Sequence, residues 1–580
     1  IVSLENIFRH RQMGKSRAQA AYDGAREVWG AMLASTLTTV AIFLPIVFVQ
    51  DEAGQLFRDI AIAVSCSVVL SLLVAISVIP SLANQILSRK KETTAGPLER
   101  LGRRVRDSIA NSVYQISSNT VMRLSVVILL VGISLGIAWK LLPKSEYLPT
   151  GNRNLVFGIV LPPPGYNLDE LVGVGQVIED VLRPRWEASP DSPEAEALGN
   201  TLVDNMFFVA FGRSAFMGAS ATDPTKVKDL IPVIQGPVFG GVPGTLAIVQ
   251  QSSLFQGGGS RAIDIEITGP DLVQLIQLGG RVFGQVRKVL PDAQARPIPG
   301  LDLGNPEVRI IPDRVKAADL GLSARDIGMA VNALMDGATV DGYQYLGEEI
   351  DLVLRGDSDW FRTQDIGSLP IYTPRGQLVP LSTVARVEVT TGPEQINHSE
   401  RSRTISIQVI PPETLPLETA LENIQREIID PLLQSGQLQS PYAIRLSGSA
   451  DDLKRTREAL QWNFLLALII TYLLMASLFE SFLYPLVIML SVPPALAGGI
   501  LGLEIVNIAL TYQPLDILTM LGFVILIGVV VNNAILIIHQ TLNILHQNEN
   551  TPTKDAIRDS VASRVRPIFM SVITSALGML

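Results

Sequence analysis

The sequence predicts an α-helical polytopic membrane bundle that carries a large α+β domain outside the bilayer. Three observations predict it. Hydrophobic residues make up 47% and charged residues 17% of the 580, where a soluble globular chain carries about 25% charge. Six stretches supply the roughly 20 mostly apolar residues that a span needs: Ala31–Val49, Ile60–Ile79, Leu124–Leu142, Trp462–Phe479, Leu483–Leu503 and Leu515–Ile538. Residues 143–461, between the third and fourth of these, hold no run of span length and alternate as globular strands and helices do.

In chain order, the first residues read as the clipped end of a span finishing near Ile7, and a second clipped span begins near Pro567. Both ends are therefore expected to be cut, making the chain a piece of a longer protein. No signal peptide is read at the start, where residue 1 is Ile and no charged segment leads into an apolar one. Basic residues orient the spans, because cytoplasmic connections are enriched in Lys and Arg. Arg9, Arg11, Lys15, Arg17 and Arg26 precede the first complete span. The next connection, Gln50–Asp59, offers only Arg58 against Asp51, Glu52 and Asp59. The third is basic again, with Arg89, Lys90, Lys91, Arg100, Arg103, Arg104 and Arg106. With the basic connections in the cytoplasm, the large domain falls outside and the segment His539–Arg566 inside.

Within the large domain a strand–helix–strand unit recurs. It reads as Asn154–Leu161, Leu168–Leu182 and Met206–Ala210, then Ala262–Thr268, Asp271–Leu290 and Glu307–Ile311, then Thr404–Ile410, Pro416–Ile429 and Ala443–Ser447. Units of this length suggest ferredoxin-like split βαβ modules. A different block, Asp313–Val387, interrupts them, with a helix near Ala324–Met335 and a hairpin-and-strand signal in GQLVPLS. The Gly/Pro-rich turns PVFGGVPG and FQGGGS separate the pieces. The two chain ends also match each other. Aligning Ala18 with Ala556 brings Arg26 onto Arg564 and Thr36 onto Thr574, and each end runs helix, polar linker, then apolar span. Two halves with matching span order are a known transporter plan.

Several stretches together resemble the resistance-nodulation-division efflux permeases of the multidrug- or amphiphile-exporting branch. They are IVSLENIFRHRQMGKSRAQAA, LPKSEYLPTGNRNLVFGIVLPPPG, ADLGLSARDIGMAVNALMDG, GQLVPLSTVARVEVTTGPEQINHSERSRTISI, LFESFLYPLVIMLSVPPALAGG, and GVVVNNAIL followed by RVRPIFMS. The resemblance implies a twelve-span bundle with periplasmic porter and docking subdomains. It implies a homotrimer in the bacterial inner membrane that exports small amphiphiles against a flow of protons. In a Gram-negative cell a periplasmic adaptor and an outer-membrane channel would complete the assembly. On that plan residues 1–87 are the end of span 4 with spans 5 and 6, 88–123 a cytoplasmic amphipathic connector, and 124–142 span 7. Residues 143–261 form one porter subdomain (PC1-like), 262–312 with 391–450 a second (PC2-like), and 313–390 the docking subdomain. Residues 451–580 are then spans 8–10 and the start of span 11.

The resemblance also assigns candidate residues. The run VVVNNAILIIHQ sets the amides Asn532 and Asn533 in the middle of a span, where polar groups are costly and tend to be functional. Many family members hold a lysine at the position of Asn532, paired with acidic residues of span 4 that would lie upstream of residue 1. An amide cannot titrate but can hydrogen-bond such a carboxylate; the other reading is interhelical packing. Arg564 and Ser571 match proton-relay positions of span 11, the latter usually Thr, with a positive flank and plain helix packing as alternatives. Glu5 and Asn6 are expected to form a solvated cytoplasmic helix cap, with a relay role as the alternative. FFVAFGRSAFMGAS (207–220) matches a loop crossing the porter pocket, where Phe211, Phe216 and Met217 would meet apolar substrates, while Phe207 and Phe208 belong to a strand.

Other classes are disfavoured. A net charge of −9 offers no basic face for nucleic acid. The single cysteine, Cys66, cannot form an internal disulfide. No Walker loop is present, so ATP is not the expected fuel, and no catalytic residues are assigned: the chain is not read as an enzyme. No Cys/His/Met cluster has ligand spacing, so a metal-exporting branch is disfavoured and neither metal nor cofactor is expected, and His398 reads as a surface or turn residue. The rival readings are a non-exporting relative, a secretion accessory or receptor, or an inactive truncated product. The docking-type block favours the exporter.

Overall fold

The structure, a computed structural model, describes residues 2–48, 52–86, 97–148, 151–163, 165–212, 214–252, 261–357, 363–436, 438, 440–510, 512–548 and 550–579. The basic residues Arg89, Lys90 and Lys91 and the FQGGGS turn lie outside them. The chain opens with α1 (Val2–Gln12), α2 (Arg17–Val47) and α3 (Glu52–Ile86). An amphipathic connector, α4 (Pro97–Ser118), leads into α5 (Thr120–Leu141), whose first turn is capped by Asn119. The large domain follows, and the chain returns through α15 (Ser449–Phe479), α16 (Leu483–Met489), α17 (Val492–Ala509), α18 (Ile517–Gln547) and α19 (Thr553–Met579). Six helices among the described residues are long and apolar enough to cross a membrane: Arg17–Val47, Phe57–Ile86, Thr120–Leu141, Ser449–Phe479, Leu483–Ala509 and Ile517–Gln547. They coincide within two residues at each end with, or extend beyond, the six stretches expected from composition, and the fifth is interrupted between Met489 and Val492.

α2 is the centre of the bundle. It packs against α1, α3, α15 and α18, and Ala34 and Ile42 join Met475, Ile488, Val492, Ile527, Val531 and Ile535 in one apolar cluster. Helices at the edge, such as α5, expose Leu, Ile and Val along most of their length, as lipid-facing helices do.

The large domain contains two modules of one topology. The first consists of β1 (Val156–Leu161), α6 (Leu168–Glu187), the short α7 (Pro193–Ala197), β2 (Val203–Phe211), β3 (Ser214–Ala221), α8 (Leu230–Gly241) and β4 (Leu246–Gln251). Its antiparallel sheet has the order β2–β3–β1–β4. A reciprocal cap between Asn167 and Glu170 starts α6. The PVFGG part of the expected turn instead completes α8. The second module consists of β5 (Ile263–Gly269), α9 (Leu272–Val289), β6 (Gln294–Ile298), β14 (Ser402–Ile410), α13 (Leu417–Ile424) and β15 (Ala443–Gly448). After α13 a π-helical turn, Gln425–Ile429, runs into α14 (Asp430–Gln434). The strand order is β6–β14–β5–β15, all antiparallel, with the short β13 (Asn397–Ser399) beside β6 on the same edge of β14. Alternation explains the sheet: Ile263, Ile265 and Ile267 are buried against the helices while Asp264 and Glu266 face the other way.

One expected strand is corrected. Glu307–Ile311 does not complete the second unit; QARPI, at β6, does. The segment lies in β7 (Asn305–Pro312), which pairs with β12 (Ala385–Gly392) as a separate two-stranded ribbon. That ribbon carries the inserted block. The block holds α10 (Arg314–Asp319), α11 (Ala324–Met335), the exposed hairpin β8 (Ala338–Tyr345) and β9 (Glu348–Leu354), the pair β10 (Pro370–Tyr372) and β11 (Leu378–Pro380), and α12 (Leu381–Val384). It has a core of its own around Ile327, Leu369, Ile371, Leu381 and Val384.

The second module is fastened to the bundle by a dense joint. Glu146, just past α5, pairs with Arg261 at 2.9 Å, with side chains 4% and 8% exposed. Leu417 N–H donates to Glu146, Arg261 donates to the Leu415 carbonyl, and Ser145 N–H donates to Glu418. Glu146 N–H donates to the Leu515 carbonyl and Ile517 N–H to that of Tyr147. Here the cores merge: Phe43 and Ile46 of α2, Phe57 and Ala61 of α3, and Ile517 and Leu521 of α18 lie in the same buried cluster as Ile263, Ile265 and Leu275.

Candidate functional site

At the end of the bundle far from the large domain, α1, α2, α18 and α19 enclose a polar network. The α1–α2 pair meets closely because Gly24 has no side chain: a Cβ there would lie 2.7 Å from Ile7 Cα. This contact lets Asn6, 2% exposed, donate from Nδ2 to the Gly24 carbonyl at 2.9 Å and to Glu27 Oε2 at 3.2 Å. His10 lies one turn along and its Nε2 is 2.7 Å from the same oxygen. Arg9 Nη1 is 3.9 Å from Oε1. From the other side, Gln540 of α18 donates from Nε2 to Glu27 Oε1 at 3.3 Å. The Gln540 carbonyl oxygen in turn accepts from Arg564 of α19. Gln540 and Arg564 are each 3% exposed. A Glu5–Arg566 ion pair at 3.6 Å flanks the cluster. An open pocket of about 430 Å³ reaches it, lined in part by His10, Arg26, Glu27, His539 and Asn543.

Of the residues expected from sequence, Arg564 is in this network. Its repeat counterpart Arg26 lines the pocket, so the matched arginines have different surroundings. Asn532, Asn533 and Ser571 are half-buried, and none makes a side-chain hydrogen bond among the described residues. Helical geometry relates them to the network. Asn533 precedes Gln540 by seven residues and Ser571 follows Arg564 by seven, nearly two full turns, so each pair shares one helix face about 10 Å apart. Asn532 shares a face with His539 in the same way. Asn6, expected in a solvated cap, is a correction: packing of α1 on Gly24 buries it. His10, Glu27 and Gln540 were not singled out from sequence. Their only signal is spacing, since Asn6 and His10 stand four apart and Gln540 continues the polar face begun at Asn533.

In the first module, residues 207–211 and 214–220 lie in the paired strands β2 and β3 of a β-hairpin rather than in a loop. Strand alternation then separates the candidates. Phe211 is 74% exposed near the turn, and Phe216 is half-buried and stacked on Phe157 at 6.2 Å between ring centroids. With Phe207 and Val209, these residues make the sheet face opposite α6 apolar. Met217, 1% exposed, points to the other face and packs in the core with Val156, Ile178 and Val249. His398 sits on the short β13. Among the described residues no group of three His, Cys, Asp or Glu side chains is arranged to hold a metal ion.

Comparison with known proteins agrees with this architecture. The chain is 25% identical over 597 aligned positions to "Multidrug resistance protein MdtC" of Citrobacter koseri, covering 100% of this chain and 55% of that relative. MdtC of Escherichia coli O139:H28 and of Shigella flexneri are each 25% identical over 591 positions, with the same coverage. The chain thus spans about half the length of the curated relatives it matches. The profile of the AcrB/AcrD/AcrF family matches residues 1–580. The chain belongs to the AcrB/AcrD/AcrF family of resistance-nodulation-division permeases.

Proposed function

We propose that this chain is part of an inner-membrane secondary transporter that exports amphiphilic small molecules and is driven by the proton gradient. The observation that carries the reading is the family match over residues 1–580, with relatives named as multidrug resistance proteins. The buried charged network supports it, because such groups beside membrane helices are costly and serve ion movement more often than packing. Basic residues at the network end favour a cytoplasmic position for it and a periplasmic one for the large domain. We read the two modules of shared strand order as ferredoxin-like porter subdomains and the inserted block as a docking subdomain. A homotrimer working with an adaptor and an outer-membrane channel is the assembly this implies.

In this reading Asn532, Asn533, Arg564 and Ser571 belong to a proton-relay path along α18 and α19. Phe211 and Phe216 line the substrate path, with Met217 supporting their strand from the core side. Dye efflux from a pump-deleted host expressing the complete gene product tests it. Efflux is expected to collapse when a protonophore is added, and Asn532→Ala is expected to lower it. Protonophore-insensitive efflux overturns the power source; wild-type efflux from Asn532→Ala removes that residue from the path.

A further inference from the structure

Arg564 is a buried cation, and among the described residues no carboxylate lies within ion-pairing distance of it. A buried charge without compensation is strongly unfavourable, and among the described residues the nearest compensating group is reached at one remove. Among the described residues, the side-chain acceptor of Arg564 is the carbonyl oxygen of Gln540. The amide nitrogen of Gln540 is committed to Glu27 Oε1 at 3.3 Å. A carboxylate only accepts and a guanidinium only donates, so these two charges on opposite sides fix which way the amide points. Turned over, it would set N–H against N–H and carbonyl against carboxylate.

The remaining groups around Glu27 leave that arrangement in place. From α1 it faces Arg9, His10 and Asn6; from its own helix, Arg26 lines the pocket beside it and Asp23 is held by Lys15 at 2.7 Å. From α18 it faces Gln540, with His539 on the pocket wall, and from α19 Arg564 through the amide, with Arg566 held by Glu5. The network also crosses the internal repeat: Glu27 belongs to the α1–α2 end and Arg564 to the α18–α19 end.

We propose that Glu27 is a positioning residue for Arg564, acting through the Gln540 amide, so that a carboxylate of one repeat holds the arginine of the other. The inference rests on the relay role given to Arg564 above. When Glu27 loses its charge or α2 shifts along α18, the amide loses its fixed orientation and Arg564 its place.

A charge-swap cycle in the complete gene product tests this. Gln540→Glu sets two carboxylates side by side, and Glu27→Gln removes the distant counter-charge. Each is expected to lower dye efflux about tenfold. The double variant moves the single negative charge next to Arg564 and leaves an amide to donate to it. Its efflux is expected to return to within about threefold of wild type. Losses that simply multiply in the double variant overturn the proposal. Gln540→Leu cuts the link while leaving both charges, and is expected to lower efflux and displace its pH profile; a wild-type profile overturns the proposal. Should the swapped pair not accumulate in the membrane, that profile decides alone. Protonophore-insensitive wild-type efflux counts against the proton-driven reading only, because the cycle scores the placement of Arg564 whatever the power source.

Discussion

Phe216 and Met217 are neighbours in sequence and opposites in surroundings, and they make a sharp pair of predictions with Phe211. Met217→Ala removes a fully buried side chain and is expected to cost about 2–5 kcal/mol, seen as a lower thermal transition of the purified protein. Phe211→Ala, at an exposed site, is expected to change stability by no more than about 0.5 kcal/mol while altering the range of exported compounds. Equal melting effects would refute this division of the hairpin. The family resemblance placed all three together by matching 207–220 to a pocket-crossing loop; as strands, period-two alternation sends adjacent residues to opposite faces. Arg564 was legible because the repeat and the RVRP motif marked it. Glu27, His10 and Gln540 were not, because each is an unremarkable residue in a polar linker or helix end until four helices converge. Burial is a tertiary property, and spacing along one helix does not report it.

At the scale of elements, the joint between bundle and second module invites a pH experiment. Burial raises the Glu146 carboxyl above the ordinary carboxylate range, opposed by Arg261 and by the N–H groups of Leu417 and Tyr147. Arg261→Met removes the strongest opposing group and raises it further. The stabilisation from the bound proton is complete below the ordinary value of about 4.3 and is lost as pH climbs through the raised folded one. Arg261→Met is therefore expected to destabilise by up to about 3–5 kcal/mol at pH 8 and by clearly less at pH 5. Thermal unfolding at both pH values checks it, and equal losses would contradict it. A second element test concerns α1 against α2. Gly24→Ala pushes a methyl into the Ile7 backbone and is expected to cost about 1–3 kcal/mol, with reduced efflux; an unchanged melting curve would mean the helices separate freely. The long apolar helices and the strands with clear alternation, such as β1, β5, β14 and β15, were readable from periodicity, while β3, β4, β6 and the hairpin β8–β9 were not singled out. Among the strands that were read, Glu307–Ile311 has the right alternation but joins a ribbon to the inserted block, and pairing partners are not encoded in local pattern.

For the molecule as a whole, composition and span count anticipated the membrane bundle; three strand–helix–strand units were read, and the structure resolves them into two modules of one strand order. What the sequence could not supply was how those modules meet the lipid-embedded part. The merged core around Phe43, Ile46, Ile517 and Leu521 answers that. Glu27 lies sixteen residues before Phe43 on the unbroken α2, about 24 Å by helical rise. Gln540 lies nineteen residues beyond Leu521 on the unbroken α18, about 28 Å away. Each of these two rods thus has one foot in the ionic cluster and the other wedged among the aliphatic side chains under the β5 sheet. A sub-ångström slide at the wet end has no soft segment in which to dissipate, and close-packed interiors transmit strain instead of absorbing it. The same pair of struts would deliver any reverse push, so loading the far domain should be felt at Arg564 as surely as the converse.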